Sequence, residues 1–255
     1  MTDKPQYQTF TVDLWVTDLH GVEIGIYQNS RHRAKSRQFT KDMDIFGEIK
    51  EDGERVGLLA FREKLWEKHQ GTDRRLVIKL FTNAMNWKGT LDLMLGRSMQ
   101  LSHGAGKFPV LAFCVNLSGQ DHVVQLEKSA YQWVGFPEKF SFFVLKDGKP
   151  YFYRLRRDWI GIGVDYTLYD QNNKKIGRLD GKVIQLGGKW NVKIVEEHAN
   201  AQVKAILQLF CAMLKFNDAC RDHIRGLVGD MQKGHLVPAL EAHECDLYLN
   251  PRRMR

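Results

Sequence analysis

Apolar and polar residues alternate along most of this chain, and short turn sequences separate the alternating runs. Over residues 190–194 apolar residues occupy every second position, and residues 164–168 repeat the pattern. A period of two residues is typical of half-buried β-strands. The sequence therefore predicts a chain built mainly from strands. Further runs of this kind cover residues 7–16, 22–27, 76–81, 108–117 and 140–145.

Five dipeptides between or near these runs have the composition of tight turns. They are Asp52-Gly53, Asp147-Gly148, Asn172-Asn173, Asp180-Gly181 and Gly187-Gly188. Such residues tolerate the positive φ angles of short hairpin loops. Because hairpins join antiparallel strands, we expect an antiparallel sheet rather than βαβ units.

Residues 201–216 break the pattern with a run that is apolar on nearly every side. Between Ala205 and Leu214 the only polar side chain is Gln208. A helix without a polar face belongs in a protein core or a membrane, and this one is shorter than the roughly 20 residues that span a bilayer. We expect a buried helix, with Leu207, Phe210 and Leu214 in the core.

Two segments share a faint repeat in which a β-branched residue precedes a glycine. Val56-Gly57 lies within residues 44–63, and Ile176-Gly177 lies within residues 165–182; residues 21–27 give a third, shorter echo. Glycine in a strand lowers stability unless it serves a bend or a close approach of two backbones. The repeat therefore indicates barrel corners, although chance similarity between hairpins is the alternative.

Three stretches resemble a known family: KIGRLDGK at residues 175–182, GGKWNVKI at 187–194 and VKAILQLFCAMLKF at 203–216. They are similar to the Tubby C-terminal-like superfamily, particularly its phospholipid scramblase and LURP-one-related branches. The resemblance implies a mainly β fold, a closed antiparallel β-barrel around a central hydrophobic C-terminal helix. We expect this barrel over residues 1–216 with the helix at 201–216. A helical and irregular C-terminal extension would follow over residues 217–255, starting with a more polar helix at 217–232.

The chain departs from the scramblase pattern just before the apolar helix. Scramblases carry an acidic, calcium-associated segment there, whereas this chain has only Glu196 and Glu197 in the sequence IVEEHANA. Alternating Asp and Asn ligands of a calcium loop are missing from that stretch. We therefore do not expect calcium-triggered lipid transport.

Composition adds an excess of positive charge. Lys and Arg number 38 against 30 Asp and Glu, which gives a net charge of +8. Such a balance favours polyanionic partners, either nucleic acid or anionic lipid. The N-terminal residues lack the composition of a signal or transit peptide. We expect a cytoplasmic protein, peripheral at a membrane if it binds lipid, with no transmembrane span.

One predicted strand places arginines side by side. Over residues 151–157, Phe152, Arg154 and Arg156 share one face because alternate residues of a strand point the same way. Planar guanidinium groups suit phosphate. The resemblance implies binding of phosphoinositide head groups by surface basic residues in this region. The candidate ligand-binding residues are Arg154, Arg156, Lys174, Lys175 and Arg178.

Three classes of function follow. The first is a non-enzymatic module that binds anionic lipid head groups or a protein partner. The second is a nucleic-acid-binding protein, and the third an enzyme whose site only the fold assembles. The sequence contains no GxSxG, HExxH or Walker A motif, so we predict no catalytic residue, metal or cofactor. The spacing of the following Cys and His residues matches no familiar zinc site: Cys220, His223, His235, His243 and Cys245.

Overall fold

A computed structural model describes residues 5–15, 38–106, 108–130, 137–159, 165–182 and 188–235. Strands dominate these ranges, and the predicted strand at residues 22–27 lies outside them. The strands are β1 (Tyr7–Leu14), β2 (Met43–Glu51), β3 (Glu54–Arg62), β4 (Val77–Thr82), β5 (Trp87–Leu93), β6 (Ala112–Leu117), β7 (Val124–Lys128), β8 (Lys139–Lys146), β9 (Lys149–Arg157), β10 (Tyr166–Tyr169), β11 (Lys175–Lys182) and β12 (Lys189–Val195).

The sheet closes on itself. Each strand pairs antiparallel with the next one along the chain, and β12 returns to pair with β1. In the closing pair Thr9 lies opposite Lys193 and Thr11 lies opposite Asn191. The prediction of a closed antiparallel β-barrel is confirmed, and the chain is mainly β.

The period-two pattern sorts side chains between the inside and the outside of the barrel. In β12, Trp190, Val192 and Ile194 are buried in the main hydrophobic core, whereas Lys193 is exposed. Because successive side chains of a strand point to opposite faces, the polar residues form the outer surface. Any functional surface made by strand residues is therefore built from these alternate polar positions.

Three of the predicted turns are confirmed, one is wrong, and Gly187-Gly188 lies partly outside the described residues. Asp52-Gly53 and Asp147-Gly148 join β2 to β3 and β8 to β9, with positive φ angles at all four residues. Asn172-Asn173 lies in the turn between β10 and β11. Asp180-Gly181 instead lies inside β11, where Asp180 pairs with Asn191 of β12. Its composition matches a turn, but pairing with β12 keeps the chain extended.

Three α-helices complete the described chain: α1 (Leu95–Gly104), α2 (Ala201–Leu214) and α3 (Asn217–Gln232). The predicted apolar helix is α2, which ends two residues earlier than expected. Asn200 caps its start, because the side-chain oxygen accepts from the Val203 N–H at 2.9 Å. At its end the Phe216 N–H donates to the Met213 carbonyl at 2.8 Å, a tighter turn from which α3 continues.

The residues of α2 are buried among side chains from opposite parts of the barrel wall. The ring of Phe210 lies 5.1 Å from that of Phe140 on β8 and 5.2 Å from that of Tyr166 on β10. The same helix also packs against β1, β4, β5 and β6. Leu207 and Phe210 are fully buried as predicted, whereas Leu214 is only half-buried because it lies in the last turn.

The predicted second helix is α3, and it shares the core of the barrel. Its residues Cys220, Ile224 and Leu227 are buried in the same hydrophobic cluster as α2. It also packs against α1. The expected extension over residues 217–255 stays a prediction as a unit, because residues 236–255 lie outside the described ranges.

The glycines of the repeat stand where two backbones come close. A methyl group on Gly57 would lie 2.9 Å from the Phe81 carbonyl oxygen, and one on Gly177 would lie 2.8 Å from that of Lys193. Each glycine also pairs with the residue next to a register shift, Ile49 for Gly57 and Leu168 for Gly177. The close approach that the repeat predicted is thus present at both positions.

Candidate functional site

The outer side of β9 carries the arginines that the sequence predicted. Phe152, Arg154 and Arg156 are exposed, whereas Tyr153 and Leu155 between them are buried. The predicted division of this strand into two faces is therefore confirmed for these five residues.

Strand register brings four of the five candidate residues into two adjacent rows on the outer surface. In one row, Lys139 of β8 pairs with Arg156 of β9. Arg156 pairs in turn with Thr167 of β10, and Thr167 pairs with Arg178 of β11. In the next row Arg154 pairs with Tyr169, which pairs with Lys175. Paired residues on one face have Cβ atoms about 4.5–5.5 Å apart. We call the following set the basic face: Lys139, Arg154, Arg156, Lys174, Lys175 and Arg178.

Lys174, the fifth candidate, lies in the turn between β10 and β11. Asp170 holds this turn, since its Oδ1 accepts from the Asn172 N–H at 2.9 Å and from the Lys174 N–H at 2.8 Å. The Arg154 guanidinium donates to the side-chain oxygen of Asn173. The turn and its lysines are therefore held against Arg154 of β9.

Arg178 differs from the other members of the basic face because its charge is already paired. Its Nη2 lies 2.6 Å from Asp165 Oδ2 and 3.9 Å from Asp158 Oδ2. The hydrogen bond that Arg178 donates to Asp165, together with both carboxylate charges, raises the pKa of Arg178 above its ordinary value. Arg178 therefore orders this end of the surface more than it attracts an outside anion.

Two exposed aromatic side chains accompany these cations. Phe152 is 52% exposed and pairs with Phe143 of β8, with 5.4 Å between the ring centres. Trp159, two residues after β9, is 59% exposed. Large apolar side chains that stay in water next to charged ones are typical of surfaces that contact a partner or a membrane.

The sequence analysis missed Lys139 and Phe143, although the signal was present. The two-residue turn Asp147-Gly148 makes Lys146 pair with Lys149, and this fixes every later pair of the hairpin. Counting back from that turn places Phe143 opposite Phe152 and Lys139 opposite Arg156. The turn alone could therefore have assigned Lys139 to the basic face and Phe143 to the position beside Phe152.

A second group of charges lies on the outer side of β4 and β5, but away from solvent. Arg75 Nη2 donates to Asp92 Oδ2 at 2.7 Å, and Lys79 Nζ donates to the Gln38 side-chain oxygen at 2.7 Å. Burial lowers the pKa of Lys79 to about 8 and raises that of Asp92 to about 6. Lys79 and Asp92 have no solvent-exposed surface. Displaced pKa values often mark active sites, but these groups offer a substrate no access.

The structure describes only part of the histidine and cysteine set near the C-terminus. Cys220 is fully buried in the core, and His223 bonds through Nε2 to the Arg74 carbonyl at 3.0 Å. His243 and Cys245 lie outside the described residues. In the ranges that are described, no group of three or more His, Cys, Asp or Glu residues is placed to hold a metal ion.

Comparisons with known proteins give no relative for this chain: no protein-family model matches it, and neither the curated proteins nor the solved structures contain a match. Among the helices of the described chain, none combines the length and the apolar character that crossing a bilayer requires. The basic face and the aromatic side chains beside it are therefore the features that indicate a function.

Proposed function

We propose that this chain is a non-enzymatic binding module that docks on an anionic membrane surface through the basic face and the Phe143–Phe152 pair. One observation carries the proposal. Phe152 is 52% exposed on the same outward side of β9 as Arg154 and Arg156. Its backbone N–H is held by the side chain of Gln171 at 3.4 Å. An apolar ring and two guanidinium groups thus project together from one strand.

The physical chemistry of a lipid surface suits this combination. Aromatic side chains partition to the boundary between head groups and acyl chains, while cations are attracted by anionic head groups. Each Lys or Arg near such a surface contributes about 1 kcal/mol. Arg154, Arg156, Lys174 and Lys175 are all exposed, and Arg154 is bonded to a neutral amide that leaves its charge in place.

The resemblance to the Tubby C-terminal-like superfamily supports the same choice. The resemblance implies binding of phosphoinositide head groups through basic residues on a barrel surface, in the region that carries Arg154, Arg156, Lys174, Lys175 and Arg178. Polyphosphorylated head groups fit several cations at once, since guanidinium groups bind phosphate oxygens in pairs. We therefore propose phosphoinositide as the preferred lipid and peripheral attachment to a membrane facing the cytoplasm.

Vesicle binding tests the proposal. The full chain should co-sediment with phosphatidylcholine vesicles that contain phosphatidylinositol 4,5-bisphosphate, and bind weakly to phosphatidylcholine alone. Removing two cations in Arg154→Ala/Arg156→Ala should weaken binding about 30-fold, from about 1 kcal/mol for each charge. Phe152→Ala should also weaken it. These side chains are exposed, so the variants should fold.

Lys64→Ala/Lys68→Ala is the matched control, because it removes two exposed charges between β3 and β4, away from the basic face. An equal loss in this control would mean attraction by net charge alone and would contradict the proposal. Binding to duplex DNA that competes with vesicles and falls steeply with salt would instead favour the nucleic-acid hypothesis. Vesicle binding that Arg154→Ala/Arg156→Ala leaves intact would remove the basic face from the proposal.

A further inference from the structure

A separate groove of about 580 Å³ crosses the outer faces of β1, β11 and β12 and reaches the turn between β2 and β3. Its volume lies in the range of small-molecule sites. Arg178 lies at one rim, but the other candidate residues of the basic face do not line the groove. The groove is thus a second concave surface, distinct from the outward arginines of β9.

The floor of the groove is a compact set of directly paired side chains. Asp180 of β11 pairs with Asn191 of β12, which pairs with Thr11 of β1, which pairs with Lys50 of β2. Lys193 lies two residues further along β12 and points to the same side. Register alone therefore places donors and acceptors next to one another across four strands.

Two hydrogen-bond donors of this floor are not used by the protein. Lys193 Nζ lies 4.1 Å from the centre of the Tyr7 ring, and no carboxylate of the described chain pairs with it. Asn191 accepts from the Thr11 hydroxyl at 3.3 Å. Its side-chain amide N–H groups meet no acceptor within the described ranges. A cation and an amide donor therefore face the groove side by side.

Two carboxylates of the groove are not bonded to the rest of the described chain, although the charge of Asp180 also acts on Arg178. Asp180 and Asp52 are exposed, and neither forms a hydrogen bond or an ion pair through its side chain with any described residue. The remaining charges of the lining are already paired. Lys50 lies 2.5 Å from Glu48, Lys189 lies 3.7 Å from Asp13, and Arg178 lies 2.6 Å from Asp165.

This balance of charges restricts the ligand. A polyanion would meet the two carboxylates, and a simple cation would meet Lys193 with no group to pair with it. A ligand that carries one negative and one positive group can pair with Lys193 and with a carboxylate at the same time. Asp180 and Lys193 are diagonal neighbours, with backbones about 7–8 Å apart, so the two charges of the ligand must be separated by a short spacer.

We propose that the groove binds a phosphate ester that also carries an ammonium group, with phosphoethanolamine as the simplest example. The phosphate accepts from Lys193 and Asn191, and the ammonium donates to Asp180. The ligand is either a free metabolite or the head group of a lipid. This site goes beyond the proposed docking surface and does not depend on it.

Calorimetric titration of the full chain with phosphoethanolamine tests the site. We expect saturable binding to one site, and at least tenfold weaker binding of inorganic phosphate and of ethanolamine. Inositol 1,4,5-trisphosphate should bind at least tenfold more weakly than phosphoethanolamine in Arg154→Ala/Arg156→Ala, which lacks two cations of the basic face. Lys193→Met keeps the apolar stem over Tyr7 and removes the charge, and Asp180→Asn removes one carboxylate. Each should weaken phosphoethanolamine binding at least tenfold without lowering the melting temperature, since both side chains are exposed.

Arg154→Ala/Arg156→Ala is the control that separates this proposal from the proposed function. It should bind phosphoethanolamine as the unchanged chain does while losing phosphoinositide vesicles. Vesicles of phosphatidylcholine with phosphatidylethanolamine then identify the source: binding that Lys193→Met abolishes assigns the lipid head group, and its absence alongside phosphoethanolamine binding assigns the free ester. No saturation by phosphoethanolamine, equal affinity in Lys193→Met, or preference of Arg154→Ala/Arg156→Ala for inositol 1,4,5-trisphosphate would overturn the inference.

Discussion

The Lys128 ammonium nitrogen lies 2.6 Å from Glu138 Oε1, and both side chains are almost completely buried. Lys128 ends β7 on the side of the strand that faces the core, as Val124 and Leu126 do. The Tyr166 hydroxyl donates to the other Glu138 oxygen at 2.7 Å. One carboxylate therefore links β7 and β10 inside the barrel.

Glu138→Gln should destabilise the chain by about 3–5 kcal/mol, because it leaves the Lys128 charge buried without its partner. Lys128→Met/Glu138→Gln should cost much less, since the glutamine oxygen can still accept from Tyr166 and no buried charge remains. Urea unfolding measures both values. A change below about 0.5 kcal/mol in Glu138→Gln would show that the pair contributes nothing.

The same pair predicts a loss of stability in acid. Burial alone would raise the pKa of Glu138, but Lys128 and the Tyr166 hydroxyl hold it below the ordinary value of 4.5. A carboxylate with a lowered pKa in the folded state stabilises fully above pH 4.5 and less as pH falls through its folded pKa. Unfolding curves between pH 5 and 3 should show this loss, and it should shrink in Lys128→Met/Glu138→Gln.

The buried helix gives a test of the core. Leu207→Ala and Phe210→Ala should each cost about 2–5 kcal/mol, because both side chains are fully buried in contact with the barrel wall. Gln202→Ala, on the half-buried first turn of α2, is the matched control and should change stability by less than about 0.5 kcal/mol. Thermal melting compares the three. Equal melting temperatures would place α2 outside the core.

Local pattern was enough to predict the barrel and its helix, because alternation and an all-apolar run are properties of neighbouring residues. Lys79 shows where that reasoning ends. Its position in β4 predicts an outward polar side chain, yet Gln38, 41 residues earlier, accepts its hydrogen bonds and the side chain has no exposed surface. The turn prediction at Asp180-Gly181 is wrong for the same reason, because pairing with β12 holds these residues in a strand despite their turn composition.

The candidate site could likewise be predicted only where it depends on local pattern. The outward direction of Arg154 and Arg156 follows from the period of a strand. The ion pair between Arg178 and Asp165 requires the register of β10 against β11, and the groove beside Lys193 requires barrel closure between β1 and β12. The register of the β10–β11 hairpin is shifted between Leu168 and Tyr169, so it does not follow from counting back from the turn. The pairing of β1 with β12 joins strands far apart in sequence, which leaves no signal in a single sequence.

His223 should make stability depend on pH near neutrality. Burial lowers its pKa below 6.5, and the hydrogen bond to the Arg74 carbonyl only partly offsets that effect. The folded state therefore binds fewer protons than the unfolded state, and stability falls as pH drops below 6.5. Urea unfolding at pH 7.5 and 5.5 should show this fall, and His223→Gln, which can still donate to Arg74, should reduce it. An unchanged pH dependence in His223→Gln would contradict the assignment.

Two glycine substitutions should change stability in opposite directions. Gly177→Ala should destabilise the barrel, because the added methyl group would lie 2.8 Å from the Lys193 carbonyl oxygen and 3.4 Å from the Leu168 side chain, and backbone cannot move aside easily. Gly226→Ala introduces the same methyl group on the exposed side of α3, where nothing lies within 4 Å. It should stabilise the chain by up to about 1 kcal/mol, since alanine favours a helix more than glycine does. Because both changes reduce the freedom of the unfolded chain equally, the difference in melting temperature isolates the close approach of β11 and β12 at Gly177. A stabilised Gly177→Ala would mean that β11 and β12 do not approach as closely as their pairing requires.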